Sequence, residues 1–258
     1  MCICVAAGLT LAPTGNATPP ANPGDCATPA PLRDDFSGPA GTTPNASLWG
    51  YRLGAGGDGG EIEAYTNSPR NASLDGSGNL AITAIREPFS YPGTPEMPYT
   101  SAWLDTHGRL DFCSGTISAR IKLPAGKGLR PAFWLLGSDF STVGWPACGE
   151  IDIIDMPVGG TAIHNGEFSS PVFMPFDVGT DWHEYTLDLR PDRITTLVDG
   201  KAVAGWTPSS LPPDVTWMFD RHPMYVILNV GVGGPWEQTD STTPPQATML
   251  VDWVQYTP

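Results

Sequence analysis

The sequence predicts an all-β chain, two antiparallel sheets packed as a β-sandwich or jelly roll, in one domain over residues 31–258. Three observations carry that prediction. About eleven segments read as strands, several of them alternating apolar and polar residues as half-buried strands do. Gly 30 and Pro 28 make up more than a fifth of the 258 residues, which suits many short strands joined by many turns. No apolar stripe of helical period extends beyond about ten residues.

Taken in order, residues 1–30 open with an apolar run from Ile3 to Leu11, followed by a Pro/Thr-rich stretch. The run is too short to span a bilayer. It reads as a leader, a signal remnant and linker, although no basic residue precedes it. The strand segments follow at 61–66, 79–85, 99–104, 112–123, 130–137, 148–156, 161–168, 182–189, 193–199, 224–232 and 247–256. Asp199-Gly200 marks a hairpin turn between RITTLV and KAVAGW. Pro208, Pro212 and Pro213 mark a loop.

Composition narrows the partners. Hydrophobic content of 40% is enough for a sizeable core, and only 16% of residues are charged, which is not a disordered pattern. The net charge of −14 repels phosphate backbones and anionic membranes, so nucleic acid and membrane are excluded as main partners. A neutral ligand is easier to accept, and the chain is expected to be a monomer. Nine Trp exceed the usual needs of a core this size, and Trp is a platform for flat apolar faces, sugar rings included. Of five Cys, Cys113 and Cys148 are the expected pair. Asn16, Asn45 and Asn71 head Asn-x-Ser/Thr sequons.

The stretch GEIDIIDMP concentrates the chemistry. Glu150, Asp152 and Asp155 fall within six residues of an apolar run. Alternate side chains of a strand share a face, so Glu150 and Asp152 point one way. A bulge at the Ile153-Ile154 doublet returns Asp155 to that face. Two carboxyl groups roughly 5–5.5 Å apart are what double-displacement glycoside hydrolysis needs. Crowded carboxylates raise one another's pKa, which helps one keep a proton. By themselves, three acids on a strand also fit a cation site or a solvated face.

With its neighbours, WPACGEIDIID resembles the Glu-x-Asp-x-x-Glu signature of the family-16 glycoside hydrolases, in the bulged form that laminarinases carry. DDFSG, GEIEAYTNSPRNASLDGSGNLAITA, the run from YTSAWLD to RPAFWLLG, DWHEYTLDL, LVDGK, YVILNVGVGGPW and MLVDWVQY follow in the family's order and spacing, over about residues 34–258. The resemblance implies a concave glycan-binding cleft and a secreted endo-acting retaining hydrolase for a neutral β-glucan, most simply β-1,3-linked. It implies Glu150 as nucleophile, Asp152 as the assisting carboxylate and Asp155 as acid/base. Asp155 departs from the pattern, because the family has Glu there and Asp is one methylene shorter. Glu167 is a substitute acid to weigh.

The resemblance further implies Trp134 and Trp145 along the glycan cleft and His164 beside the acids. Trp236 lies in a loop suited to ligand contact, Asn229 needs a hydrogen-bond partner in its apolar strand, and Glu61, Glu63 and Tyr65 occupy a strand bordering the cleft. Trp103, Trp182 and Trp253 are expected in the core. No cofactor is needed for catalysis; a structural Ca²⁺ is implied at Asp35 and Asp252. Few Lys or Arg are available for sulfated galactans. Galactan, mixed-linkage glucan, transglycosylation, and non-catalytic glycan binding on the same fold remain the alternatives.

Overall fold

The computed structural model describes Cys26 and residues 28–56, 60–155, 160–174, 179–220, 222–235 and 237–258. The leader up to residue 25 and Trp236 lie outside the described residues. Two sheets account for nearly all regular structure. The larger runs in the order Lys201–Trp206, Arg193–Val198, Trp182–Arg190, Gly115–Lys122, Gln246–Thr257, Leu80–Ile85, Tyr99–Ser101, Glu63–Tyr65, Gly54–Ala55. Leu32–Asp34 adds to Gln246–Thr257, and Ala72–Leu74 adds to Leu80–Ile85. The second sheet runs Phe168–Phe173, Gly160–Asn165, Glu150–Asp155, Leu129–Gly137, Met224–Val232, Trp103–Asp105, Gly50–Arg52, with Asp111–Phe112 also on Met224–Val232. Pairing is antiparallel except between Glu63–Tyr65 and Tyr99–Ser101, which run parallel. The one α-helix among the described residues is the single turn Phe140–Val143.

Local chemistry explains the elements. Gly115–Lys122 alternates buried and half-buried residues along its whole length, sending Ile117, Ala119 and Ile121 inward. The predicted hairpin forms, with Val198 opposite Lys201. Asp199 and Gly200 both have positive φ, 49° and 72°, as the tightest hairpin turns require. Between the sheets, Phe133, Leu135, Ile151, Ile163, Val226 and Leu228 of the second meet Ile117, Tyr185, Leu187, Val251 and their neighbours of the first, all fully buried. Each such side chain contributes about 1.5–3 kcal/mol through burial.

Met224–Val232 is buried at every position, not at alternate ones. Its second face carries Tyr225 and Ile227 into a smaller apolar cluster with Tyr65, Trp103, Leu136 and Cys148, against which Trp134 packs. Trp103 is buried, as expected, though in this smaller cluster and not between the two sheets. Trp182 and Trp253, by contrast, are not core residues. Both are half-buried on the larger sheet, where Arg120 lies 4.7 Å over the ring of Trp182 and Arg33 lies 4.4 Å over that of Trp253. A stacked guanidinium covers an indole as an apolar neighbour would, so neither ring needs the core.

The disulfide is also corrected. Cys113 pairs with Cys26, their Cα atoms 6.0 Å apart, and Cys148 is a free, buried thiol. Cys148 sits in the turn entering Glu150–Asp155, inside the smaller cluster, and burial pushes its thiol up to about 11. Asn71 does not present an open sequon. It is buried, accepts a hydrogen bond from Thr66, and donates to the carbonyl of Thr83 and the hydroxyl of Thr100.

Candidate active site

The bulge forms where the isoleucine doublet predicts it. Along Leu129–Gly137, Ala132 faces Asp155, Phe133 faces Ile154 and Trp134 faces Asp152, so Ile153 is the extra residue. The other neighbour agrees, with Ala162 opposite Asp152 and Gly160 opposite Asp155. Ile151, Ile153 and Ile154 are all fully buried in the main core. Glu150, Asp152 and Asp155 are thereby left together on the other face, beside Leu136, Trp134 and Ala132.

His164 reaches the same face from the next strand. Its Nε2 lies 3.5 Å from Glu150 Oε1 and 3.5 Å from Asp152 Oδ2. The Trp145 ring stands 5.8 Å from that of His164 and is 55% exposed. On the other side, Trp134 Nε1 donates to Asn229 Oδ1 at 2.8 Å, and Asn229 Nδ2 donates to the Tyr65 hydroxyl at 3.0 Å. Asn229 has the partners its buried position demands. Trp103 meets Trp134 edge-on at 5.0 Å and Tyr65 at 5.5 Å. The face thus carries a carboxylate cluster flanked by an exposed indole on one side and an aromatic group on the other.

Glu63 is fully buried at the edge of this group. Its Oε2 accepts the Val232 N–H at 2.7 Å, while Oε1 is buried without a hydrogen-bond partner. Burial pushes its carboxyl up to about 7, against the pull of that N–H. Burial likewise holds Glu150 well above the usual carboxylate range, and the charges of Asp152 and Asp155 add to the effect. Asp155 is raised by burial too, but Arg130 pulls it back.

Arg130 is the residue the sequence reading missed. Its Nε and Nη2 donate to the two oxygens of Asp155 at 2.9 and 2.6 Å, and its Nη1 donates to Glu61 Oε1 at 2.7 Å. The signal was present in the spacing. Arg130 is two residues before Ala132 and four before Trp134, so alternation places it on the carboxylate face. Glu167 lies at an exposed position in the turn between Gly160–Asn165 and Phe168–Phe173.

The two expected calcium ligands are each engaged by a cation of the chain. Asp35 accepts Arg33 at 2.7 Å and Asp252 accepts Arg120 at 2.6 Å. Each carboxylate already has a guanidinium. Among the described residues no third acid or histidine converges on them; the one group of three that does converge is Glu150, Asp152 and His164, with ligand atoms within 4.8 Å of one another. Calcium takes six to eight oxygens.

The sequence profile of Glycosyl hydrolases family 16 matches residues 63–255. The chain belongs to that family. It is 32% identical over 255 residues to the glucan endo-1,3-beta-glucosidase A1 of Niallia circulans, covering 86% of this chain and 37% of that one. It is 32% identical over 245 residues to the beta-glucanase of Rhodothermus marinus, covering 86% of this chain and 81% of the relative. The crystal structure of the endo-beta-1,3-glucanase of Pyrococcus furiosus superposes with a TM-score of 0.78 at 35% identity, covering 88% and 93% of the two chains. This chain therefore spans little more than a third of the Niallia relative's length but most of the other two. The family-16 fold is shared throughout, and the chain is a glycoside hydrolase by family.

Proposed function

We propose that this chain is an endo-acting retaining hydrolase of a neutral β-glucan, β-1,3-linked, with the carboxylate face as its substrate cleft. The observation that carries the reading is the bulge at Ile153, which leaves Glu150, Asp152 and Asp155 on one face. In the first step a carboxylate oxygen of Glu150 bonds to the anomeric carbon. The glycosidic C–O bond breaks, and the Asp155 carboxyl gives its proton to the departing oxygen. In the second step water attacks the anomeric carbon, Asp155 takes the water's proton, and Glu150 leaves as carboxylate. His164 Nε2 lies 3.5 Å from an oxygen of Glu150 and 3.5 Å from one of Asp152, and so links the two acids. Trp134, Trp145, Asn229 and the Trp103 edge offer the sugar apolar faces and hydrogen bonds, and Trp236 is kept as a further contact.

The names of the relatives and the net charge of −14 support a neutral glucan over a sulfated polymer. The Cys26–Cys113 bridge supports action outside the cell. Working as a monomer belongs to the same proposal. A second reading, glycan binding without cleavage, is favoured by one observation, the Arg130 fork that occupies both oxygens of Asp155.

Reducing-sugar release from laminarin, lichenan, galactan, agarose and xyloglucan separates these. The expected result is cleavage of laminarin, lost in Glu150→Gln and reduced about 10²–10⁴-fold in Asp155→Asn. The acid limb of the pH–rate profile belongs to the coupled carboxylates and lies above the ordinary carboxylate range, because Glu150 must ionise against its neighbours. A wild type inert on every glycan, with cleavage gained in Asp155→Glu, establishes the binding reading instead.

A further inference from the structure

The Arg130 guanidinium lies between two carboxylates. Two of its N–H groups form a parallel fork on Asp155, and a third holds Glu61. The three side chains come from different parts of the fold. Arg130 stands on Leu129–Gly137 and Asp155 ends Glu150–Asp155. Glu61 makes an isolated bridge to Gly233. All are largely withdrawn from water, with side-chain exposures of 23%, 13% and 8%. Charge-assisted bonds in such a place are strong and directional.

A carboxylate that accepts both prongs of a guanidinium has its two inner lone pairs filled. Taking up a proton displaces one prong. The displaced cation needs an anion nearby, and Glu61 supplies it on Nη1. Its second oxygen, Oε2, is buried without a hydrogen-bond partner, so it can accept a further N–H from the guanidinium. We propose that Arg130 governs proton uptake and release at Asp155, with Glu61 as the carboxylate that shares and holds its guanidinium. Under the hydrolase reading, on which this role in catalysis rests, Arg130 is a positioning residue for the acid step.

The other charged groups around Asp155 set the background. Asp152 and Glu150 lie on its own strand, and His164 is on the strand beyond. Glu61 reaches Asp155 through Arg130, with Glu63 next to Glu61. Among the described residues Arg130 is the cation in direct contact with Asp155. The acids oppose ionisation and Arg130 favours it, so the two changes at this network have opposite signs. Removing the guanidinium makes Asp155 hold its proton more tightly. Removing the charge of Glu61 takes away a repelling anion and leaves Arg130 more fully to Asp155, so the proton is held less tightly.

The test is a carbon-13 carboxyl titration of Asp155 in the full chain as wild type, Arg130→Met and Glu61→Gln. Rates on laminarin and on dinitrophenyl β-laminaribioside are measured across pH. The dinitrophenolate leaves without help from an acid, so kcat/KM on it reports the nucleophilic step without the Asp155 proton, and both rates are compared as kcat/KM. In Arg130→Met the Asp155 midpoint is expected to rise by about 1 pH unit or more. The basic limb on laminarin moves the same way, since the acid stays protonated to higher pH, and the ratio of laminarin to dinitrophenyl rates increases. In Glu61→Gln the midpoint and the limb move down. An Asp155 midpoint that stays in place in both variants overturns the proposal. So do equal losses on both substrates with unmoved limbs, which mark Arg130 as merely structural. If Arg130→Met does not fold, the downward shift in Glu61→Gln decides alone. If wild type cuts neither substrate but the midpoints shift as stated, control by Arg130 stands and the hydrolase reading falls.

Discussion

Glu63 shows what a single side chain can cost this fold. Its carboxyl is pushed from an ordinary value of 4.5 to about 7 by burial, and one oxygen has no hydrogen-bond partner. The folded chain therefore prefers Glu63 protonated. A group raised in the folded state gives stability that is complete below its unfolded value and is lost as pH rises through the folded one. The window here is from about pH 4.5 to about 7, and the size is about 3 kcal/mol. Glu63→Gln is neutral throughout. Urea unfolding at both ends of that window is expected to show the variant gaining about 3 kcal/mol on wild type between low and high pH. A difference that stays constant with pH rejects the assignment. Legibility at this scale was uneven. That Glu150, Asp152 and Asp155 share a face was readable because the isoleucine doublet marks the bulge between them. Arg130 was overlooked although its spacing places it on the same face, because a lone arginine at a strand start is ordinary until its partners are seen. Trp103 was legible as a core residue, but a strand residue reads as apolar without revealing which of two apolar clusters it joins.

At the scale of the element, the strand Glu150–Asp155 does two jobs with six residues. Strict alternation would send Ile154 to the carboxylate face and Asp155 into the core. The extra residue Ile153 reverses both, and Ile153 and Ile154 are equally buried between the sheets. Ile154→Ala is therefore expected to cost about 2–5 kcal/mol in urea unfolding, as much as Ile153→Ala. A small loss at Ile154 beside a large one at Ile153 contradicts the bulge. The doublet made this irregularity legible, as Asp199-Gly200 made the hairpin legible. The strands that escaped were mostly short: Leu32–Asp34, Gly50–Arg52, Gly54–Ala55 and Ala72–Leu74. Two or three residues cannot display a period of two, and long-range pairing alone defines them. Phe168–Phe173 escaped for another reason. It borders the second sheet, with Phe173 69% exposed and Pro171 within it, and such a strand lacks an apolar signature.

The whole molecule is a sandwich whose two layers are joined across their ends as well as through the core. Leu32–Asp34 pairs with Gln246–Thr257 in the larger sheet. Cys113 follows Asp111–Phe112, which pairs with Met224–Val232 in the second sheet. The Cys26–Cys113 bridge therefore fastens the start of the described chain to the junction between the layers, closing a loop with a sequence separation of 87. A loop of that length carries much chain entropy when unfolded, so the bridge is worth about 2–4 kcal/mol. Neither cysteine lies on the carboxylate face. Cys26→Ser is expected to lose that stability in denaturant unfolding and to keep the laminarin rate at 25 °C. A reductant should lower wild type to the variant's level and leave the variant unchanged. Cys148→Ser should stay sensitive to reductant, because its buried thiol belongs to the aromatic cluster and not to the bridge. If Cys148→Ser abolishes that sensitivity and Cys26→Ser does not, Cys113 pairs with Cys148 and the ends of the sandwich are held by noncovalent packing alone.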